Sequence, residues 1–168
     1  MSDPADADRK RKLSDDLLRR IQDARRAFHY ALTYDVDARE RMFSPVILLQ
    51  TLRKHVDMAA TGTTRERCGR LFVLTVMLYA ALDWDFAGQG VDVDALVQME
   101  RIRQTYRFGG PQLDDRLTPR DWQTRLRHQI LRLEQQLAVE ELYAARLVKL
   151  TAIAHAALEA TSRQLQCD

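Results

Sequence analysis

The amino-acid sequence predicts an all-α domain, and three observations point to this fold class. The 168 residues include only 6 Gly and 4 Pro, so few positions interrupt a helix. Apolar residues recur at spacings of three and four along most of the chain, as they do on one face of an α-helix. The most apolar run, Arg65–Asp85, also has a counterpart in the second half of the chain, Arg146–Ala160. We therefore expect six helices, built as two repeated three-helix units.

Composition and charge exclude several classes of protein. Hydrophobic residues make up 46% and charged residues 30% of the chain, which is the balance of a globular domain rather than of a disordered chain. A formal net charge of +2 does not by itself require a nucleic-acid partner. The two cysteines, Cys68 and Cys167, are too few for a disulfide framework or a zinc site. The polar first residues and the lack of an apolar run of about 20 residues predict a cytoplasmic protein with no membrane partner.

Residues 1–12 predict a disordered polar tail, which is followed by a single domain over residues 13–168. The tail begins with acidic residues and ends with Arg9-Lys10-Arg11-Lys12. A charged run of this kind is typical of a solubilising terminus. A phosphate-contacting arm is the alternative interpretation.

The first predicted helix begins at Ser14, which suits the N-cap position, and continues to about Leu32. One face carries apolar residues at spacings of four, three and four. These residues are Leu17, Ile21, Ala24 and Phe28. The polar residues 33–42 then predict a loop.

The second and third helices are predicted to form an antiparallel hairpin. Ser44 and Pro45 fit the N-cap and the first position of the second helix, and Gly62 fits the residue that ends it. Thr63 and Glu66 make a capping-box pattern, so the third helix begins at once. A link this short places the two helices side by side. Their predicted apolar faces are Ile47, Leu48, Leu52, Val56 and Ala59 or Ala60, and then Leu71, Leu74, Met77 or Leu78, Ala81 and Leu82.

Three more helices are predicted after a glycine-containing break. The fourth runs from Asp92 or Asp94 to a stop at Gly109–Pro111, and the fifth opens at Thr118. No later Gly or Pro separates the fifth and sixth helices, so one continuous helix is the alternative to the break that the repeat predicts near Gln136–Glu140. The predicted apolar faces are Ala95, Met99, Ile102 and Tyr106, then Trp122, Leu126, Ile130 and Leu133, then Tyr143, Leu147, Leu150, Ile153 or Ala154, and Leu158.

The two units, over about residues 13–86 and 92–165, show the same features in the same order. The matching segments are Phe43–Pro45 with Leu117–Pro119 and Arg70–Trp84 with Arg146–Ala160. One three-helix unit leaves an apolar face uncovered, so we expect the two to pack about a pseudo-twofold axis. The second, third, fifth and sixth helices then form a central four-helix bundle. The alternative is that amphipathic helices rich in Leu, Ala and Arg look alike because of their composition.

The order of elements carries a family resemblance. An aromatic-rich first helix leads through a polar loop to a Ser-Pro-opened helix at Phe43–Pro45. An apolar helix then ends in Ala80–Leu82, and Gly90–Leu96 leads into Arg101–Arg107. In these features the chain resembles the all-α nucleoside triphosphate pyrophosphatases, the MazG-like superfamily, and is similar to small phage-encoded members. The resemblance implies a helical bundle and Mg²⁺-dependent hydrolysis of a nucleoside triphosphate to the monophosphate and pyrophosphate.

The sequence departs from that family at the metal site. Family members bind Mg²⁺ through a Glu-Glu-x-x-Glu cluster and a Glu-x-x-Asp pair, because hard cations take carboxylate ligands. The Glu-x-x-Asp places here hold Arg70 and Val73 in the third helix, and Arg146 and Lys149 in the sixth. We therefore predict no metal, no other cofactor and no catalytic residue. What remains is a pseudoenzyme, a non-catalytic MazG-like binding module.

Basic residues lie where the family has acids. Guanidinium groups bind phosphates bidentately and need no metal ion. We therefore predict an anion site for a phosphate-bearing ligand, which is a nucleotide, a cyclic nucleotide or a nucleic-acid backbone. Its predicted residues are Arg53, Lys54, His55, Arg70, Arg125, Arg127, His128, Arg146 and Lys149. The alternative is that these are solvated helix faces paired with Glu66, Glu134 and Glu140.

Two other functions stay open at this stage. A Mg²⁺-dependent nucleotide hydrolase with a rearranged site would use Glu66, Glu134, Glu140 and Glu141. A protein-interaction or inhibitor protein would instead dock a partner helix on exposed apolar surface. Either a monomer or a homodimer is compatible with the sequence. His155 lies in an apolar helix, and we expect a core histidine there rather than a ligand.

Overall fold

The all-α class is confirmed by a computed structural model, which describes residues 4–33, 44–85, 118–135 and 140–167. These residues form five α-helices and no β-strand. The helices are α1 (Pro4–Thr33), α2 (Pro45–Ala59), α3 (Thr64–Asp85), α4 (Pro119–Gln135) and α5 (Glu140–Cys167). The fourth predicted helix, which includes Met99 and Tyr106, lies outside the described residues. Within the described helices, none is both long and apolar enough to cross a membrane.

Helix α1 begins at Pro4, so it includes most of the segment that the sequence predicted as a disordered tail. Proline is tolerated in a first helical turn, and alanine, lysine and arginine are strong helix formers. Ser14 is therefore an interior residue of the helix rather than its N-cap, and it is buried. Leu17 and Ile21 pack into the core as predicted. The run of charged residues in the first twelve positions predicted disorder. The helical propensity of the same residues instead favours a helix that begins at Pro4.

The predicted turn between α2 and α3 is confirmed. Ser44 is extended and precedes Pro45, although its side chain makes no capping hydrogen bond. Gly62 has a φ of +88°, a conformation in which glycine has no steric cost. Thr63 caps α3, because the backbone N–H of Glu66 donates to Thr63 Oγ1 at 3.2 Å. These local interactions end one helix and begin the next within five residues of chain.

Helix α4 opens with a full capping box. Thr118 Oγ1 accepts from the backbone N–H of Asp121 at 3.2 Å, and Asp121 Oδ2 accepts from the backbone N–H of Thr118 at 2.8 Å. Helix α4 ends at Gln135 and α5 begins at Glu140. Because α4 and α5 pack against one another, they are two helices, as the repeat predicted, rather than one continuous helix.

Helices α3 and α5 lie at the centre of the bundle. Every side chain from Leu74 to Leu82 and from Leu150 to Ser162 is buried. Helix α5 packs against α3 and α4, α2 packs against α3 and α4, and α1 lies over α3 and α5. Tyr79 contacts His155, and the half-buried Cys68 contacts Ser162, so α3 and α5 run antiparallel. Helices α2 to α5 thus form the predicted four-helix bundle.

Helices α2 and α4 bury apolar residues at the same successive spacings of four, four and three. The matching buried residues are Leu48, Leu52, Val56 and Ala59 in α2, and Trp122, Leu126, Ile130 and Leu133 in α4. Helix α2 also buries Leu49, which has no buried counterpart in α4. Ile47 was also predicted for the core but is 40% exposed. It lies about 100° around the helix from Leu48, outside the stripe that faces α3 and α4.

Matching positions of α3 and α5 also behave alike. Thr75 and Thr151 are fully buried, and each donates its hydroxyl proton to the carbonyl four residues earlier at 2.7 Å. Tyr79 and His155, which occupy matching positions in the aligned segments, hydrogen-bond to one another. The first helix of the second predicted unit lies outside the described residues. The six-helix symmetry therefore stays a prediction.

A candidate anion-binding cavity on α4

The nine predicted anion-binding residues do not form one cluster in the structure. Arg53 pairs with Glu134, and Arg127 donates to Asp57 Oδ1 from Nε at 3.0 Å and from Nη2 at 2.7 Å. These pairs join α2 to α4 on the bundle surface, where an exposed ion pair contributes little to stability. Arg53 and Arg127 therefore match the alternative interpretation, in which these arginines lie on solvated helix faces and pair with acidic residues, better than the predicted anion site.

Arg70 has a structural role at the end of α2. Its Nη1 donates to the carbonyl of Met58 at 2.9 Å, to the carbonyl of Thr61 at 2.6 Å and to Thr61 Oγ1 at 3.0 Å. Its other terminal nitrogen lies 3.8 Å from Glu66. The Met58 carbonyl also accepts from the Thr61 backbone N–H at 3.2 Å, so the guanidinium adds a charged donor to the carbonyls that end α2. Arg70 therefore stabilises the α2–α3 link, which differs from its predicted role in phosphate binding.

Four other predicted residues lie apart from any described cavity. Lys54 is exposed and His55 is half-buried on α2, while Arg146 and Lys149 are half-buried on α5. Burial lowers the pKa of His55, and the nearby Lys54 charge lowers it further. The neutral imidazole is therefore favoured at this position, which makes His55 a poor ligand for an anion.

The two remaining residues, Arg125 and His128, line an open cavity of about 400 Å³. Asp121, Thr124 and Gln129 also line it, and all five residues lie on one face of α4 because they follow helical spacing. Ile153 of α5 contributes the apolar floor. The cavity is of a size that holds a small polar molecule.

Gln129 is the residue that sequence analysis missed. It is 6% exposed, and its Oε1 has no hydrogen-bond partner in the part of the chain that the structure describes. A buried polar atom without a partner costs about 1 to 3 kcal/mol. Such atoms are uncommon in folded proteins, and an ordered water or a bound ligand can supply the missing hydrogen bond. The available signal was a glutamine three residues after Leu126, at an inward-facing position of α4.

Cationic and hydrogen-bonding groups converge at this cavity. Arg132 Nε donates to His128 Nε2 at 3.1 Å, which places a second guanidinium beside the cavity. Hydrogen bonds from the Thr118 backbone and side chain lower the pKa of Asp121, and the Arg125 charge lowers it further. Asp121 is thus ionised and already held by Thr118. The arrangement can bind a molecule that carries both an anionic group and a hydrogen-bond donor.

The acids of the hydrolase alternative do not converge. Glu66 lies near Arg70 and Glu134 pairs with Arg53, whereas the side chains of Glu140 and Glu141 lie outside the described residues. No group of three or more His, Cys, Asp or Glu side chains with a metal-binding arrangement occurs among the residues that the structure describes. The described acids stabilise surface arginines instead.

A second polar group lies inside the bundle. His155 is fully buried, and its Nδ1 lies 2.7 Å from the hydroxyl of Tyr79, which confirms the predicted core histidine. His155 Nε2 lies 3.3 Å from Glu159 Oε1, although the angle is outside hydrogen-bond geometry, and Glu159 Oε2 lies 3.9 Å from Arg163. Arg25 of α1 stacks over the Tyr79 ring at 4.8 Å. These contacts join α1, α3 and α5. Because His155 and Glu159 are buried, we assign these residues to the packing of the bundle rather than to ligand binding.

Comparison with known proteins found no matching protein family, no matching curated protein and no matching solved structure. A function for this chain is therefore inferred from its own geometry.

Proposed function

We propose that this protein is a non-catalytic binding module on a MazG-like scaffold, and that it holds a phosphate-bearing ligand in the α4 cavity without a metal ion. The observation that carries the proposal is Gln129, a buried amide that lines the same cavity as Arg125 and whose oxygen has no hydrogen-bond partner among the described residues. A small phage or accessory regulatory protein in the cytoplasm, monomeric or homodimeric, fits this role through the resemblance.

Each group in the cavity has a distinct role in the proposal. Arg125 and Arg132 attract the phosphate, since guanidinium groups form strong charge-assisted hydrogen bonds with phosphate oxygens. A movement of the Gln129 side chain toward the cavity lets its buried Oε1 accept a hydrogen bond from the remainder of the ligand, such as a sugar hydroxyl or a base amino group. Asp121 disfavours the phosphate at its own end of the cavity, which orients the ligand along α4. A nucleotide or cyclic nucleotide therefore fits better than inorganic phosphate.

We also propose that the bundle comes from two related units. The equal spacing of the buried residues in α2 and α4 supports this, as do the identical hydrogen bonds of Thr75 and Thr151. A twofold axis brings equivalent residues of its two units into contact, and Tyr79 and His155 make such a contact. On this basis the cavity belongs to the second unit.

A protein-interaction role is the second candidate, and exposed apolar side chains favour it. Val46, Ile47, Met58, Val73 and Leu131 are each at least 40% exposed. These residues lie on α2, α3 and α4. If no phosphate-bearing molecule binds, a protein partner that contacts these exposed apolar side chains becomes the better hypothesis.

A thermal-shift screen tests the proposed function. The protein is heated with ATP, cyclic AMP or a short oligonucleotide, in Mg²⁺ and separately in chelator. A ligand at about 100 times its dissociation constant adds about 2.7 kcal/mol to the free energy of unfolding, which raises the melting temperature by several degrees. We expect a shift that persists in chelator. A shift that requires Mg²⁺ would support the hydrolase alternative, and no shift would contradict the proposal.

Gln129→Leu separates binding from folding. Because the substitution removes a buried polar atom that has no partner, the variant should be as stable as the wild type or more stable. The ligand should nevertheless raise the melting temperature of this variant much less than it raises that of the wild type. Arg127→Ala is the matched control, since Arg127 lies on α4 but pairs with Asp57 outside the cavity. An unchanged shift in Gln129→Leu would contradict the role of this residue.

A further inference from the structure

The first nine described residues of α1 form a helical extension that the core does not cover. Within residues 4–12 every described side chain is exposed, and the first side chain that packs against the core is Leu13. Ser14, Leu17 and Ile21 then hold the helix on the bundle. At a rise of 1.5 Å per residue, the extension continues for about 13 Å beyond this anchor. The bundle therefore presents a straight helical arm, defined here as residues 4–12.

The arm and the rest of α1 differ in what their cations contact. In the core-bound part, Arg19 pairs with Asp16 at 3.3 Å and Arg20 stacks over Phe72 at 5.0 Å. On the arm, Arg9, Arg11 and Lys12 are exposed and make no ion pair with any described residue. With Lys10, the arm has four basic and two acidic side chains and hence a net charge of +2. Its cations remain available to an external anion.

We propose that this arm binds the phosphate backbone of a nucleic acid. Consecutive helical residues lie at steps of about 100°, so Arg9, Arg11 and Lys12 project from different sides of the helix within one turn. A helix in a groove of about 12 Å meets phosphates on both walls, and cations on all sides contact both at once. The proposed contact is independent of sequence and independent of the α4 cavity.

A membrane surface is a poorer fit to the same charges. Helices that lie in a membrane interface carry large apolar residues on one face, which enter the acyl region. The arm has none, since Pro4, Ala5 and Ala7 are its only apolar residues. Duplex nucleic acid therefore matches the arm best.

Fluorescence anisotropy with a labelled DNA duplex of about 20 base pairs tests the proposal, and a single-stranded RNA of equal length is the comparison probe. The arm variant replaces Arg9, Arg11 and Lys12 by Gln in the full chain. Each lost phosphate contact reduces the slope of log K against log salt by about 0.9, so three reduce it by about 2 to 3. We expect binding about tenfold weaker or more near 0.1 M salt.

The matched control replaces three exposed cations elsewhere, Arg26, Arg65 and Arg120, by Gln, and it should bind nearly as the wild type does. Circular dichroism and the melting temperature show that both triple variants remain folded. Equal losses in the two variants would overturn the proposal, because net charge would then explain the binding. Absence of wild-type binding at about 0.05 M salt, or displacement of the duplex by polyglutamate at equal charge concentration, would also overturn it.

Discussion

Helices α2 and α4 bury the same stripe of positions but differ in the residues that lie beside it. Aligned on their buried residues, the α4 positions Asp121, Arg125, His128 and Gln129 correspond to Ile47, Thr51, Lys54 and His55 of α2. The α4 set lines a cavity with a buried amide, whereas the α2 set has an exposed isoleucine and a half-buried histidine. Packing therefore constrains the stripe alone, and the neighbouring positions are free to acquire ligand-binding chemistry.

The largest effects should come from the shared stripe. Leu52 and Leu126 are matching residues and both are fully buried. Replacing either by Ala removes core volume and should lower the free energy of unfolding by about 2 to 5 kcal/mol. The comparison predicts similar losses at the two sites in urea denaturation. The same substitution at Leu131, which is 50% exposed, is the control and should cost much less. A large loss at one leucine alone would break the proposed equivalence of the helices.

The contact between Tyr79 and His155 should give the next largest effect. Tyr79→Phe leaves the buried Nδ1 of His155 without its partner, so we expect a loss of about 1 to 3 kcal/mol. Changing both residues, to Phe and Leu, removes both polar groups together. The double variant should therefore be more stable than the sum of the single losses predicts. Additive losses in chemical denaturation would show that the two residues are not coupled.

The basic residues of α3 and α4 allow a sharper comparison, because Arg70 and Arg127 were predicted to act alike. Arg70 satisfies carbonyl groups at the end of α2, and Arg70→Ala should cost about 1 to 3 kcal/mol. Arg127 makes an exposed ion pair, and Arg127→Ala should cost about 0 to 1 kcal/mol. Thermal denaturation at low and high salt distinguishes them, since only the exposed pair is screened. Equal and salt-sensitive losses would contradict the structural role of Arg70.

The smallest effect should be a pH dependence at His55. Its pKa in the folded chain is lowered by burial and by Lys54, so below about pH 6.5 the unfolded chain binds more protons at this residue. Its contribution to stability therefore rises with pH up to about 6.5 and is constant above that value. His55→Gln, which places the α4 residue on α2, should reduce this slope between about pH 5 and 7. Identical melting-temperature profiles would show that His55 is not perturbed.

Sequence reasoning succeeded where the interactions are local. Thr63, Thr118 and Gly62 identified helix boundaries because caps and turns depend on residues within a few positions. It failed for the beginning of α1, where the run of charged residues predicted disorder but the helical propensity of the same residues favours a helix. The core stripes of α2 and α4 were predictable from periodicity, apart from Ile47, which is exposed, and Leu49, which is buried but was not predicted.

The candidate site was only partly predictable, since it depends on contacts between distant residues. Arg125 and His128 were predicted, and both line the cavity. Gln129 was not predicted, because it is buried by the packing of α5 over α4. The residues next to it in the sequence do not show that packing. Arg70 was misassigned for the same reason, since its partners Met58 and Thr61 become visible only when the chain turns at Gly62.

Isothermal titration calorimetry in chelator tests whether the α4 cavity binds a phosphate-bearing ligand without a metal ion. ATP and cyclic AMP are titrated into the wild type, Arg125→Ala, Gln129→Leu and Arg127→Ala. We expect one site per chain, binding weakened about tenfold or more in the first two variants, and nearly unchanged binding in Arg127→Ala. Equal affinity in all four proteins, or heat only when Mg²⁺ is added, would contradict it.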